Sequence, residues 1–319
     1  MKKPLSCWVE KERLDGKIVG CLTVILRARG CRWNRCLMCG FPRFDVGEED
    51  LKKQIDYALR KFLRDDEILI LKIFTSGSFF DDREIPPSFR EYVYSKVEEM
   101  GIKKLIVESR PEFVFNCDAF GRNFEVEIGI GLETSNDEIR ELCVNKGFTF
   151  RDYADAAKYI LDRGGKVRTY LLLKPPFLSE FEAIEDCLKS VMDCSKFSNT
   201  VSINPVYIPR GSYIEKLWKA GIYRPPWLWS AVEVLKKSYE MLSENCKVGY
   251  DINIICDPVG AGNSRASHNC GRCDRNVAEE IKEFSITQKP NFRTECECIE
   301  FWRKYARYEK VARFNVCFY

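Results

Sequence analysis

The chain has 319 residues, 45% hydrophobic and 13% aromatic, enough for the core of one large α/β domain and a smaller companion. A net charge of +3 is too small to demand a polyanionic partner, and the longest apolar run, residues 18–26, is far short of the roughly 20 residues of a membrane span. No signal peptide is recognisable, so sixteen cysteines read as metal ligands and buried thiols of a reducing, cytoplasmic protein with no membrane partner, not as a disulfide framework.

In chain order, residues 18–26 read as strand one. Directly after it comes Cys31-Arg32-Trp33-Asn34-Arg35-Cys36-Leu37-Met38-Cys39, a C-x4-C-x2-C loop. Three thiolates so close cannot complete a tetrahedral zinc without a distant fourth ligand. They can hold three irons of a [4Fe–4S] cube and leave the fourth iron open. Helical spacing over 50–63 puts Leu51, Ile55, Ala58, Leu59 and Phe62 on one side. Strand two, 67–75, ends in Ser76-Gly77-Ser78. A helix over 86–100 precedes strand three, 103–108, and strand four covers 124–131. Helices follow over 137–143 and 150–163, the second closed by Gly164-Gly165. Strand five is 166–173, the next helix 180–194, and strand six 200–204.

Six β/α alternations imply a parallel sheet with crossover helices, which a partial (β/α)6 TIM-like barrel and a doubly wound sheet both satisfy. In a barrel the active face lies at the C-terminal strand ends. The polar punctuation falls there: the cysteine loop, Ser76-Gly77-Ser78, Glu108-Ser109-Arg110 and Glu133-Thr134-Ser135. Gly77 lets backbone approach a ligand closely. Glu108 and Glu133 are placed to accept hydrogen bonds from a ribose or an amine, or else to form rim salt bridges with Arg110 or Arg168.

After residue 204 the texture changes to a Pro/Trp-rich stretch containing Trp218, Trp227 and Trp229, with a helix over 227–242. The expected organisation is a barrel with this extension over 1–256 and a small cysteine-rich domain over 257–319. In the latter, His268, Cys270, Cys273, Cys296 and Cys298 offer five ligands for four places. A structural zinc, an auxiliary iron–sulfur cluster and a plain loop with a capping histidine are all compatible with that spacing. The scattered Cys7, Cys21, Cys117, Cys143, Cys187, Cys194, Cys246, Cys256 and Cys317 read as small buried hydrophobes. At the C-terminus Arg303, Lys304, Arg307, Lys310 and Arg313 interleave with Trp302, Tyr305, Tyr308 and Phe314. That pattern suits RNA, and equally an amphipathic helix whose aromatics are core.

The cysteine loop, Ser76-Gly77-Ser78 and Glu108-Ser109-Arg110-Pro111 together resemble the radical S-adenosylmethionine (SAM) enzymes, and the last of these turns is similar to their Elongator-catalytic-subunit branch. The commonest spacing there is C-x3-C-x2-C, so this loop is one residue longer. Asn204-Pro205-Val206-Tyr207, Tyr223-Arg224-Pro225-Pro226-Trp227-Leu228-Trp229-Ser230 and His268-Asn269-Cys270-Gly271-Arg272-Cys273-Asp274 resemble the archaeosine-biosynthesis radical SAM family of archaea, over nearly the whole chain. The resemblance implies a [4Fe–4S] cluster on Cys31, Cys36 and Cys39, with SAM on its open iron. Ser76, Gly77 and Ser78 would lie at the methionine end of SAM, with Glu108 as a further cofactor-binding residue. Glu133 would meet the ribose and Arg168 a carboxylate, with Lys174 a further candidate. It also implies a tRNA bearing a lysine-modified 7-deazaguanine as substrate. The lysine carbon–nitrogen bond would be cleaved to leave archaeosine, with a lysine-transferring synthase subunit as partner and a small electron donor such as a ferredoxin. Other radical SAM tRNA modification, and a non-catalytic zinc-binding RNA adaptor, are the alternatives.

Overall fold

A computed structural model describes residues 3–62, 68–245 and 252–312. Eight strands form one sheet in chain order: β1 (Ser6–Leu14), β2 (Lys17–Ile25), β3 (Ile68–Phe74), β4 (Lys104–Glu108), β5 (Glu125–Glu133), β6 (Lys166–Leu173), β7 (Thr200–Pro205) and β8 (Asn253–Cys256). β2 pairs parallel with β3, β3 with β4, β4 with β5, and β7 with β8. A doubly wound sheet reverses its strand order at a switch point. Here the order never reverses, so the α/β class is the partial barrel.

The six expected strands are present within one or two residues, although Glu67 lies outside the described residues. Two further strands escaped the sequence reading. β1 pairs antiparallel with β2 across Asp15-Gly16, both at positive φ (49° and 77°), a two-residue hairpin turn. Its charges hide it: Glu10 and Glu12 point at cations beneath the sheet instead of at water. β8 is only four residues long. Helices Glu48–Phe62, Pro87–Glu99, Phe150–Leu161, Glu180–Ser195 and Leu228–Asn245 match expectation. The expected 137–143 helix is instead a short α turn, Asp137–Ile139, followed by a π-helical turn, Arg140–Val144. Helices Tyr213–Lys219, Asp274–Thr287 and Cys298–Ala312 complete the longer ones. Among the described residues no helix is long and apolar enough to cross a membrane.

The chain forms two compact units. The first takes the described residues up to Asn34, Phe41–Gly131 and Arg151–Arg168; the second takes Arg35–Gly40, Leu132–Phe150 and the described residues from Thr169 onward. In the first unit, strand alternation buries Leu22, Val24, Leu71, Ile73, Leu105, Val107, Val126 and Ile128 on one face. The other face carries Cys21, Ile70 and Ile106, and then a buried charge network. Lys72 binds Glu10 and Glu12 at 2.9 and 2.8 Å. Arg168 binds Glu127 at 2.7 Å and Glu12 at 3.3 Å, and Lys104 binds Glu125 and Glu127. Burial alone would raise the Glu12 carboxyl, but Arg168 and Lys72 outweigh it and hold it well below the usual range. In the second unit, the Asp274–Thr287 helix packs on β8 and on the Leu228–Asn245 helix, and the C-terminal helix packs on Glu180–Ser195.

Candidate active site and metal centre

In the first unit the chain leaves β2 through Gly30 (φ 75°) into Cys31. The Cys31 N–H donates to the Ser76 carbonyl at 2.9 Å, so the first cysteine and the turn after β3 are joined by backbone. Ser76 itself sits at φ 59°, a conformation uncommon for a residue with a side chain. Gly77 is required by space: an added Cβ would collide with Glu84 Oε2 and stand 2.9 Å from Cys31 N. The Glu84 carboxylate is the knot. Oε1 accepts from Arg32 N–H at 2.7 Å and Oε2 from Ser78 N–H at 2.5 Å. Burial pushes this carboxyl up to about 7, while the two N–H bonds pull the other way. Ser78 Oγ accepts from Arg110 N–H at 3.1 Å, and Phe79 N–H donates to the carbonyl of Glu108, the last residue of β4. Arg110 pairs with Glu112 and lies over the Trp33 ring at 5.2 Å. Arg32 pairs with Asp81 and lies over Phe113.

In the second unit the rest of the cysteine loop has its own anchors. Leu37 N–H donates to Val144 O at 2.9 Å, at the end of the π turn, and Leu37 O accepts from Ile214 N–H at 3.1 Å. Asn145 Nδ2 donates to Arg35 O at 3.0 Å. Met38 packs on an apolar cluster of Leu172, Val206, Ile208, Ile214, Leu217 and Tyr223. Cys36 and Cys39 are joined by a turn, Cys39 N–H to Cys36 O at 3.1 Å, and both are half-buried thiols outside any disulfide. Glu133 ends β5 at φ 68° and is buried, paired with Lys146 at 2.5 Å, not with Arg110 or Arg168. Lys174 follows β6 at φ 68° and pairs with the fully buried Glu180 at 2.7 Å. Glu180 also accepts from Trp227 N–H and Ser230 Oγ–H.

Arg168, expected to meet a carboxylate of the cofactor, lies within the sheet. It is the third residue of β6, 3% exposed, with its guanidinium held by Glu127 and Glu12 in the charge network.

The second cysteine set closes on itself. The Sγ atoms of Cys270, Cys273, Cys296 and Cys298 all lie within 4.8 Å of one another. Cys270–Cys273, Cys270–Cys296 and Cys273–Cys298 are 3.9, 3.6 and 3.6 Å apart. Burial raises the Cys270 thiol, but the N–H groups of Arg272 and Cys273 outweigh it and bring it down to about 6. Trp229 Nε1–H donates to Cys298 Sγ at 3.2 Å and Asn269 Nδ2–H to Cys273 Sγ at 3.4 Å. Asp274 fixes the turn by accepting from the N–H groups of Asn269 and Gly271. His268 is not in this group: its Nδ1 is 2.8 Å from the Ala266 carbonyl, an N–H donor's position.

None of the fourteen described cysteines is in a disulfide; Cys246 and Cys317 lie outside the described residues. Cys21, Cys187, Cys194 and Cys256 are buried, whereas Cys7, Cys117 and Cys143 are only half-buried. On the C-terminal helix, Trp302 donates to Ser230 Oγ and is core, and Tyr305 is half-buried near Trp227; Phe301 and Tyr308 are exposed. Arg313 and Phe314 fall outside the described residues. Sequence reasoning missed Glu84, Trp229 and Asn269 as supporting groups. Glu84 closes the run Asp81-Asp82-Arg83-Glu84, which reads as a solvated turn.

Residues 25–188 match the radical SAM superfamily. The chain is 38% identical to the archaeosine synthase subunit beta of Methanosarcina acetivorans, over 95% of this chain and 89% of that one. It is 36% identical to the protein of the same name from Thermococcus kodakarensis, over 93% and 95%. Among solved structures, a queuine lyase from Clostridium spiroforme bound to SAM and queuine superposes with a TM-score of 0.51 at 22% identity, covering 77% of this chain and 94% of that one; the likeness shows the fold.

Proposed function

The chain belongs to the radical SAM superfamily and, within it, to the family of the archaeosine synthase beta subunits, and from that premise we propose that it breaks the lysine carbon–nitrogen bond of a lysine-modified 7-deazaguanine in tRNA. The amidine nitrogen stays on the base, giving archaeosine, and the lysine carbon skeleton leaves. The observation that carries this reading is the near full-length likeness to two proteins bearing the archaeosine synthase name.

The superfamily carries a [4Fe–4S] cluster and SAM, and the residues present fit both. Three cysteines outside any disulfide stand in one nine-residue stretch, Cys31, Cys36 and Cys39, and Gly77 leaves open backbone beside the first. Bound together, the two cofactors supply hydrogen abstraction from carbon when an electron arrives. The chain's own residues do the positioning. Cys31, Cys36 and Cys39 would hold the cluster. Ser76, Gly77 and Ser78 would present backbone and hydroxyl groups to the methionine end of SAM. Glu84 fixes the loop and the turn at once through Arg32 N–H and Ser78 N–H. Glu133, at the end of β5, would meet the ribose, and Glu108, at the end of β4, would be a further cofactor-binding residue. Arg168 is left out of this assignment because Glu127 and Glu12 hold its guanidinium within the sheet.

The four-cysteine group would hold zinc. A Zn–S bond of about 2.3 Å sets tetrahedral S···S edges of about 3.8 Å; three of the six separations, 3.6 to 3.9 Å, bracket that value, and all six are within 4.8 Å. A second cube would give each thiolate its own iron and hold the sulfurs further apart. A lysine-transferring synthase subunit, a tRNA and a small electron carrier of ferredoxin type complete the system, in the cytoplasm. The test is anaerobic incubation with dithionite and SAM, with and without lysine-modified tRNA, followed by assay of 5′-deoxyadenosine and archaeosine. Archaeosine formation with a sharp rise in 5′-deoxyadenosine is expected. Cleavage of SAM indifferent to the tRNA would overturn the substrate, and none at all from cluster-loaded protein would overturn the chemistry.

A further inference from the structure

We propose that residues 207–219, between β7 and the Leu228–Asn245 helix, form a contact surface for the sugar–phosphate backbone and an unstacked base of the tRNA. This rests on the reading above that an RNA is the substrate. The segment is two-sided. Ile208, Ile214 and Leu217 are buried in one apolar cluster with Leu172, Val206 and Tyr223. Helical spacing therefore turns Lys216 and Lys219 to the opposite side, and Tyr213, the first residue of the helix, stands exposed at the edge of that side. Tyr213 is 46% and Tyr207 42% exposed, and Arg210, Lys216 and Lys219 are exposed with them.

The charge on that side is uncompensated. The segment's one carboxylate, Glu215, accepts from Gly211 N–H at 2.8 Å and pairs with Arg265 at 2.7 Å and Lys219 at 3.5 Å. These contacts hold it well below the ordinary carboxylate range, at about 2, the Gly211 N–H contributing most. Arg210 and Lys216 have no ion pair among the described residues. Free cations spaced along a surface, with tyrosine faces between them, match a polyanion that also offers bases for stacking.

Position adds the second argument. The Ile214 N–H donates to Leu37 O, and Gly40 meets Pro209 so closely that an added Cβ would collide with it. Within this unit the surface is therefore fastened to the loop of Cys36 and Cys39, so RNA held there arrives beside those thiols. The C-terminal helix, the other basic-aromatic element, spends Trp302, Tyr305 and Glu309 on Ser230, Trp227 and the Glu180 N–H.

The test uses full-length, iron-loaded protein and transcribed archaeal tRNA, with binding read by fluorescence anisotropy across about 50 to 300 mM KCl. The variants are Arg210→Glu with Lys216→Glu, Tyr213→Ala, and, on the C-terminal helix, Lys304→Glu with Arg307→Glu. Iron content and melting temperature control for folding. The 210/216 pair is expected to raise Kd at least about tenfold and flatten the salt slope by about two, near 0.9 for each phosphate that is no longer neutralised. Tyr213→Ala should weaken binding about fivefold or more with the slope unchanged. Wild-type Kd and slope in the 210/216 pair, or a weakening confined to the 304/307 pair, would overturn the assignment. So would intact tRNA binding with impaired association of the lysine-transferring subunit, which would give the face to a protein. If the wild-type protein binds no tRNA, the substrate reading itself fails, and the surface with it.

Discussion

The two cysteine sets are built on opposite plans. Cys270, Cys273, Cys296 and Cys298 form a closed cage: four sulfurs face one point, backbone N–H groups and Trp229 and Asn269 donate to them, and no fifth ligand is needed. Cys31, Cys36 and Cys39 would, on the proposed reading, form an open set of three thiols from one loop; beside Cys31 lies backbone that a side chain would block at Gly77, and a buried carboxylate braces Arg32 to Ser78. Closed sets suit structural metals and open sets suit chemistry. The two sets teach that ligand number, not cysteine abundance, separates a staple from a site.

The largest effect should come from the closed set. Cys270→Ser with Cys273→Ser should abolish a stoichiometric zinc and lower the melting temperature sharply, since structural zinc contributes on the order of 10 kcal/mol. Cys36→Ser should instead remove iron and activity while leaving zinc and melting nearly intact. Metal analysis with calorimetry checks both, and a matched loss of stability in the two variants would break the comparison.

Next in size is Arg168→Met, a control from the sheet interior. Leaving Glu12 and Glu127 unpaired should cost about 3 to 5 kcal/mol without changing SAM affinity. Both carboxyls are held below their unfolded values against burial, chiefly by Arg168. Their stabilisation is therefore present above the unfolded pKa of about 4.3 and lost as pH falls towards the folded values. The variant's acid unfolding profile should lose that component. A normal profile with weakened SAM binding would return Arg168 to the site.

Glu84→Gln should slow SAM cleavage about 10- to 100-fold, as expected for loss of charged hydrogen bonds worth about 1.5 to 3 kcal/mol. It should also alter the reduced-cluster EPR response to SAM, and Gly77→Ala should behave alike. Unchanged spectra in both would show that the open set needs no brace. The smallest effect belongs to His268→Gln, which should leave zinc content unchanged, because the imidazole bonds the Ala266 carbonyl; a halved zinc content would make the cage a mixed one.

Periodicity made six strands and most of their helices legible because apolar alternation and 3.6-residue spacing are local signals. β1 escaped because its inward residues are glutamates, and inward charge is recognisable only once Lys72 and Arg168 are seen opposite. The Asp15-Gly16 turn was a local signal that could have found it. The cysteine loop and the Ser76-Gly77-Ser78 turn were readable as spacing and punctuation. Glu84 was not, since an Asp/Glu-rich turn looks solvated until burial is known.

By itself the sequence determined the α/β alternation, the three-thiol loop and the pool of five ligands near the C-terminus, all of them properties of residues close in the chain. Only the tertiary structure decided that four cysteines and not His268 form the cage, that Arg168 answers to Glu12 and Glu127, and that Glu84 braces the loop. Each of those choices joins groups tens of residues apart, and only the folded backbone brings their partial charges within hydrogen-bonding distance.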